Sequence, residues 1–448
     1  MKKLLILILS HMLIASVSND AVITIDEGVK VTIDGAFDNN GYIHNEGSLT
    51  VSGDYTYSSG DNIDGNGTFM FCDQAKELHS GANLVSFYAI PEDKSITNVM
   101  SSLGESASGV ITEGGAASQI AAGLWVGSLT EISSTKGYWI IVDSDIDLVQ
   151  CDVILSNRNT EYSLHSGANL ISFPSFGRVG VSAGIPDDVE GSITGIITEG
   201  GAATQISPGL WVGSLQEFIG SKGYWVIAID DFVFSYDLNT LERTFKKPEV
   251  SILENYEYIQ SSHQAFYFIE SIENIQEGDW VLSYNGDELI GSRMWNGDVI
   301  DVPVMGNDGN SYSENYLNVG ETPQFKILRD DKLIDLEGDI NTFENNGLFM
   351  ISNLSQAVPV PNDFSLDRAY PNPFNPVTTL NFGIPVDSEV YLSIYNLQGR
   401  EVSSLISGNM EAGYHSVVWN ANTFASGVYF VKMIAGEYVS TQKLMLVK

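Results

Sequence analysis

The chain has 448 residues, enough for several domains, and 43% of them are hydrophobic, so it can build ordinary cores and is not a disordered chain. Lys and Arg number 21 against 57 Asp and Glu, a formal net charge of −36. A surface of that sign repels phosphate backbones and anionic lipid, which argues against nucleic acid or an anionic membrane face as partner, and the scattered charges read as a solvated acidic surface.

Lys2 and Lys3 precede an apolar stretch, Leu4–Leu9 and Met12–Ile14, and Ser16 and Ser18 sit at the −3 and −1 positions of a cleavage site. The pattern predicts a signal peptide over residues 1–18. The stretch is too short to span a bilayer, and no other run is long enough, so no transmembrane span is expected in the mature chain.

Residues 19–72 alternate β-branched residues with Asn-Gly and Asp-Gly turns. Ile43–Val51 aligns with Ile63–Phe71 at an offset of twenty residues, and Gly28–Ile33 reads as an earlier, slipped copy. Such a period with glycine at the corners predicts a few rungs of a β-solenoid-like segment, with a simple meander as the alternative. The segment resembles the Asn/Gly-rich repeats of bacterial surface adhesins.

A tandem duplication follows, over residues 73–150 and 151–236. Leu78-His79-Ser80-Gly81-Ala82-Asn83-Leu84 recurs as Leu164–Leu170, and Ile111-Thr112-Glu113-Gly114-Gly115-Ala116-Ala117 as Ile197–Ala203. Gly123-Leu124-Trp125-Val126-Gly127-Ser128-Leu129 recurs as Gly209–Leu215, and Lys136-Gly137-Tyr138-Trp139 as Lys222-Gly223-Tyr224-Trp225. The offset is constant, so the copies align without a gap, and each is large enough to be a small α+β or β module. In the first copy, Ile96, Val99, Met100 and Leu103 have helical spacing with Gly104 as the stop; the second copy loses most of that signal between Arg178 and Glu190. Cys72 and Cys151, the only cysteines, bracket the first copy. In an oxidising periplasm they are a disulfide candidate, with two separate buried thiols as the alternative.

Residues 237–355 carry three alternating segments, Gln264–Ile269, Gly278–Tyr284 and Pro323–Leu328, and an Asn285-Gly286 hairpin turn, which predict a β-sandwich module. The Pro-containing stretch 356–363 reads as a linker.

In residues 364–448, Pro371, Pro373 and Pro376 exclude helix. Strands are expected at Thr379–Phe382, Val390–Tyr395, Tyr414–Trp419, Val428–Met433 and Gln442–Val447, separated by turns at Gln398-Gly399, Ala412-Gly413, Ser426-Gly427 and Ala435-Gly436. That spacing suggests a small immunoglobulin-like sandwich. Tyr370-Pro371-Asn372-Pro373-Phe374-Asn375-Pro376, then Ile394–Arg400 with Gly399, Gly413-Tyr414-His415, Ala425-Ser426-Gly427-Val428-Tyr429 and Lys443–Lys448 occur in order. This fifth of the chain resembles the type A C-terminal sorting domain of proteins exported by the type IX secretion system of Bacteroidetes-like bacteria. The resemblance implies the secretion machinery as partner, removal of the domain, and surface attachment or release. The duplicated copies and the 237–355 region are similar to modules found beside this sorting domain.

The duplicated residues supply the candidates for binding or chemistry. Glu113 and Glu199 are the leading carboxylates, but one per module does not make a general acid/base pair, and the alternative is a hairpin turn built on Gly-Gly. Trp125, Tyr138, Trp139, Trp211, Tyr224 and Trp225 could stack on sugar rings or fill cores; neighbours on a strand point to opposite faces, so one of each Tyr–Trp pair could reach solvent. His79 and His165 fit turn hydrogen bonding rather than metal binding. There is no HExxH, no GxSxG, and Cys72 has no third partner beside His79, so neither catalytic residues nor metal ligands are assigned. The Met305–Asn310 loop falls short of the calcium-loop pattern, leaving calcium as the one cofactor to test.

The sequence thus predicts a mainly β, multidomain, secreted or cell-surface chain. Its expected role is non-catalytic: adhesion, or binding of an extracellular glycan or surface protein. A secreted hydrolase of unrecognised type and a purely structural surface component are the alternatives.

Overall fold

A computed structural model describes residues 16–33, 36–57, 63–64, 68–72, 75–242, 253, 256–357 and 360–448. The predicted signal peptide lies outside them apart from residues 16–18, which belong to a strand, Ser16–Asn19. The fold is mainly β, with several sheets. It divides into two compact units, Met1–Gln356 and Ala357–Lys448.

At the start of the first unit, parallel strands stack with the sequence period as their register. Ile23 lies opposite Ile43 and Ile43 opposite Ile63; Ser48 lies opposite Thr68, while Lys30 pairs with Ser48, the slipped copy. Stacking like on like buries Ile25, Phe37, Ile43, Leu49, Val51, Phe69 and Phe71 in one core. Asn19 donates to Asn39 at 2.7 Å, and Asn39 to the Tyr55 hydroxyl at 3.2 Å, which satisfies these buried amides. The strand Val153–Leu155, which joins the duplicated copies, pairs antiparallel with both Thr68–Cys72 and Ala89–Pro91. Beside it, Cys151 is disulfide-bonded; the side chain of Cys72, the chain's other cysteine, lies outside the described ones.

Each copy folds into a five-stranded antiparallel sheet of the same order. In the first module it runs Gly81–Ser86, Gly137–Val142, Ala107–Thr112, Gly115–Ala121, Leu124–Gly127. In the second it runs Gly167–Ser172, Gly223–Ala228, Ile193–Thr198, Gly201–Ser207, Leu210–Val212. The duplication extends to irregularities: register shifts fall between Gln119 and Ala121 and between Gln205 and Ser207. The expected helix in the first module is shorter than its spacing. An α-helical turn, Ile96–Val99, capped by the Ser95 side chain, gives way to a 3₁₀ turn, Ser101–Leu103, and Gly104 ends it at φ +56°. The second module replaces this with two helical turns, Val181–Gly184 and Asp187–Glu190.

The third module sets a three-stranded sheet (Ile300–Gly306, His263–Ile269, Leu348–Ile351) and a five-stranded sheet (Glu288–Met294, Trp280–Asn285, Gln324–Arg329, Lys332–Glu337, Ser355–Gln356) around one core. Gly286, at φ +59°, makes the tight turn between Asn285 and Glu288.

The C-terminal unit also has two sheets sharing one core. Ser365–Leu366, Val377–Ile384 and Gly413–Asn420 form the first; Glu401–Met410, Ser388–Asn396, Gly427–Ala435 and Tyr438–Leu446 form the second. The strand Glu401–Met410 has no counterpart among the sequence-predicted ones. Its Ser, Gly and Asn residues depress β propensity, and its register shifts against Ser388–Asn396 break the alternation.

Candidate functional site

The two modules meet through their duplicated motifs, and the contact is reciprocal. In each, Thr-Glu-Gly-Gly closes a two-residue hairpin loop in which the first glycine takes a positive φ, +74° at Gly114 and +65° at Gly200. The loop carries its glutamate into the other module. Glu113 places Oε1 2.6 Å from His165 Nε2, and its Oε2 accepts from the Leu170 amide at 2.9 Å. Glu199 places Oε1 2.8 Å from His79 Nε2, its Oε2 accepts from the Leu84 amide at 2.9 Å, and Lys222 Nζ lies 3.5 Å away.

Each imidazole faces two acceptors. The Nδ1 of His79 is 2.9 Å from the Ser80 carbonyl oxygen, and that of His165 is 2.8 Å from the Ser166 carbonyl. Satisfying both acceptors takes two N–H groups, which only the imidazolium has. Burial pulls His79 down, but Glu199 and the Ser80 carbonyl outweigh it and leave its pKa above the ordinary value. The Ser166 carbonyl and then Glu113 raise that of His165. Burial pushes Glu199 up, yet Lys222, His79 and the Leu84 amide together carry it down to about 2. Asn83 and Asn169 hold the histidine segments by accepting from, and donating to, the His79 and His165 backbones at 2.8–2.9 Å.

Between these locks the sheets touch directly. Ser86 Oγ donates to the Lys222 carbonyl and Ser172 Oγ to the Ser134 carbonyl, each at 2.6 Å. Leu84 and Trp139 pack with Leu170 and Trp225. Glycine is required here: a Cβ on Gly137 would sit 2.7 Å from Leu170 Cδ1, and one on Gly223 would sit 2.9 Å from the Val85 carbonyl oxygen.

These contacts correct several sequence expectations. The motif glutamates do sit in the Gly-Gly hairpin turn given as the alternative, but their side chains also join the modules, which the sequence did not suggest. No solvent-facing member exists in the Tyr138–Trp139 pair. Tyr138 fills its module's core and Trp139 the inter-module layer, because the strand is central in its sheet and covered on both sides. Tyr224 is likewise buried and Trp225 half-buried. The tyrosine hydroxyls accept from the Ser133 and Ile219 amides at 2.7 and 2.6 Å. Trp125 and Trp211 are half-buried against their modules' cores, and Trp211 Nε1 donates to Glu190 at 2.8 Å. The outward residues of the first module's hairpin are instead Ile120, Leu124 and Val126. His79 and His165 do serve their turns, but their cross-module role was missed; the signal was that histidine and glutamate recur at one shared offset.

The Met305–Asn310 loop is held by its own hydrogen bonds. Asp308 accepts from the Ser262 amide, Asn310, Tyr312 and Ser313 at 2.6–3.1 Å; burial raises its pKa, but these donors outweigh it and leave it well below the usual carboxylate range. Among the described residues no three His, Cys, Asp or Glu side chains group as metal ligands. An open depression of about 400 Å³ is lined by Asp287, Glu288, Glu314, Glu321 and neighbouring polar residues.

In the C-terminal unit, the Tyr370–Pro376 motif is a strap across the last strand. Asn372 donates to the Lys443 carbonyl at 2.8 Å and accepts from the Met445 amide at 2.9 Å. Phe374 exchanges backbone hydrogen bonds with Met445 and Val447, at 2.9 Å each, and buries its ring against Trp419. Tyr429 packs edge-on to Trp419 and donates to the Ala425 carbonyl at 2.8 Å. Gly399 turns the chain at φ +76°.

The segment that forms this strap and the strands behind it is the one that a known family model matches. Residues 368–448, under a fifth of the chain, match the family of secretion system C-terminal sorting domains. The protein is therefore a type IX export substrate, secreted or held at the surface of a Gram-negative cell of Bacteroidetes type. No curated protein matches the chain. Among solved structures, a beta-glycosidase from Bacteroides vulgatus shares 10% identity over 37% of this chain and 21% of its own, with a TM-score of 0.19. Dimeric latent PorU from Porphyromonas gingivalis shares 10% over 72% and 36%, with a TM-score of 0.17. The Bacillus anthracis TIE protein shares 12% over 85% and 67%, with a TM-score of 0.13. The chain spans about a fifth and about a third of the first two, and similarity at these scores carries no structural argument. No described helix is long and apolar enough to cross a membrane.

Proposed function

We propose that the protein is a non-catalytic binding protein of the cell exterior, a scaffold whose partner is a protein surface. The observation that carries this is the use made of the repeated residues. His79, Glu113, His165, Glu199, Trp139 and Trp225, which a catalytic or sugar-binding duplication would aim into a cleft, are spent on joining the modules, and Tyr138 and Tyr224 on filling their own cores. Burial of those rings favours a protein partner over a glycan, since a sugar needs an open ring face. In this proposal the N-terminal segment is a short β-solenoid, the third module a β-sandwich and the C-terminal unit an immunoglobulin-like sandwich. The type IX machinery delivers the chain, and residues 356–363 link cargo to signal.

The test is adhesion of cells producing the intact protein or none to immobilised extracellular proteins and glycans. Protein-selective adhesion that depends on the chain is expected. Adhesion to glycans alone, or hydrolysis of any polymer presented, would overturn the proposal.

A further inference from the structure

The face that seats the third module on the second exists twice. On the second module, Phe266 and Phe268 pack against Ile197 and Ala202. Asp301, cross-strand partner of Phe268, accepts from the Ala202 amide at 3.0 Å, the Ser214 amide at 2.8 Å and Ser214 Oγ at 2.7 Å. Arg293 Nη2 donates to the Gly200 carbonyl at 2.7 Å. Gly213 leaves room for the Phe268 ring, which would lie 2.9 Å from any Cβ there.

Every second-module residue in that contact recurs in the first module: Ile111, Gly114, Ala116, Gly127 and Ser128. There the outer part of the face is open, while Ile111 is half-buried against the cluster that holds Leu84, Trp139 and Tyr312. Ala116 is exposed where Ala202 is fully buried, and Val126 is 56% exposed where Val212 is half-buried. The Ala116 amide, lacking a carboxylate, donates to its own Ser128 Oγ at 3.2 Å. From Gly114 to Thr130 there is no charged residue, in a chain of net charge −36. A solvated face of so acidic a protein would carry charge; this one has the composition of a packed surface.

We propose that the outer face of the first module docks a β-module of another chain, one that presents two aromatic side chains on a strand and a carboxylate on the neighbouring strand, as Phe266, Phe268 and Asp301 do. The aromatics cover Ala116 and Val126 and the remaining open part of Ile111. The carboxylate takes the Ala116 and Ser128 amides and turns the Ser128 hydroxyl outward. This rests on the protein-binding role proposed above and names the chemistry of one partner. Because the partner's carboxylate approaches a chain of net charge −36 and meets no cation in this contact beyond a guanidinium on its own side, screening by added salt should not weaken the association as it would a contact held by ion pairs across the interface.

Equivalent substitutions test it in the full chain. Ala202→Arg expels the third module from its own seat and leaves its aromatic strand free to find the first module of a second copy. Sedimentation equilibrium is expected to show about a doubling or more of the weight-average mass, since a head-to-tail contact need not close. The Ala116→Arg/Ala202→Arg chain, with the same strand freed but the receptor blocked, is expected to stay monomeric, as is Ala202→Arg/Asp301→Lys. An Ala202→Arg chain that is monomeric with native near-UV circular dichroism overturns the proposal, as does self-association that Ala116→Arg leaves unchanged. If Ala202→Arg unfolds, wild-type chain titrated with 3-phenylpropionate decides. Amide shifts at Ala116 and Ser128, lost in Ala116→Arg, support the site, and their absence overturns it. Either failure leaves adhesion through another surface standing.

Discussion

His79 Nε2 lies 2.8 Å from Glu199 Oε1, across 120 residues of sequence, and His165 repeats the contact with Glu113. A histidine from each copy is thus held by the glutamate of the other.

The locks set a pH window. Both histidines have folded pKa values above the ordinary 6.5, so their stabilisation is full below that and is lost as pH rises through the folded values. Glu199 falls from 4.5 to about 2, so its share is present above 4.5 and is lost as pH drops toward 2. Thermal unfolding of the module pair should peak between those limits and decline as pH rises above 6.5 through the folded histidine values. His79→Asn/His165→Asn should flatten the alkaline decline; an equally steep decline in that variant would assign it to other groups.

The two locks differ in strength. Glu199 is 14% exposed and has a lysine beside it, while Glu113 is 33% exposed and has none at that distance among the ion pairs described. Glu199→Ala strands the His79 ring and the Leu84 amide and should cost about 1–3 kcal/mol. Glu113→Ala should cost less. Urea unfolding of each variant measures the order, and the reverse order would show that Lys222 adds nothing.

Gly223→Ala should force the modules apart, since its Cβ meets a backbone oxygen rather than a flexible side chain. A cost of about 1–3 kcal/mol is expected, with amide protection lost around Ser86 and Lys222. Gly191→Ala, where a Cβ meets nothing within 4 Å, serves as the control.

Export is expected to depend on the C-terminal unit that carries the sorting-domain match. Deleting residues 364–448 should leave the protein in the periplasm. Phe374→Ala, which uncovers Trp419, should destabilise the C-terminal unit by about 3–5 kcal/mol. Cell fractionation reads the first outcome and calorimetry the second; surface display of the truncated chain would refute the assigned role.

Local pattern made much of this structure legible. Twenty-residue spacing reappears as register between Ile43 and Ile63, and the aligned copies share even their sheet irregularities. Legibility ended where meaning came from a distant surface. Glu199 looks like a turn residue until Leu84, far off in sequence, supplies its amide donor. Trp139 has the alternation of a strand with one open face, and it is closed by Leu170 and Trp225 of the second module in a cluster that Tyr312 also packs against. The strand Glu401–Met410 is made by its neighbour's hydrogen bonds rather than by its own side chains.

A reciprocal contact of this kind is the geometry of a two-fold dimer. Written into one polypeptide, it escapes mass action: dilution outside the cell cannot separate the halves, and neither can be produced without the other. Fusion also released the halves from having to remain identical surfaces. One copy could cover its outer face with the next module in the chain while the other kept the same face open.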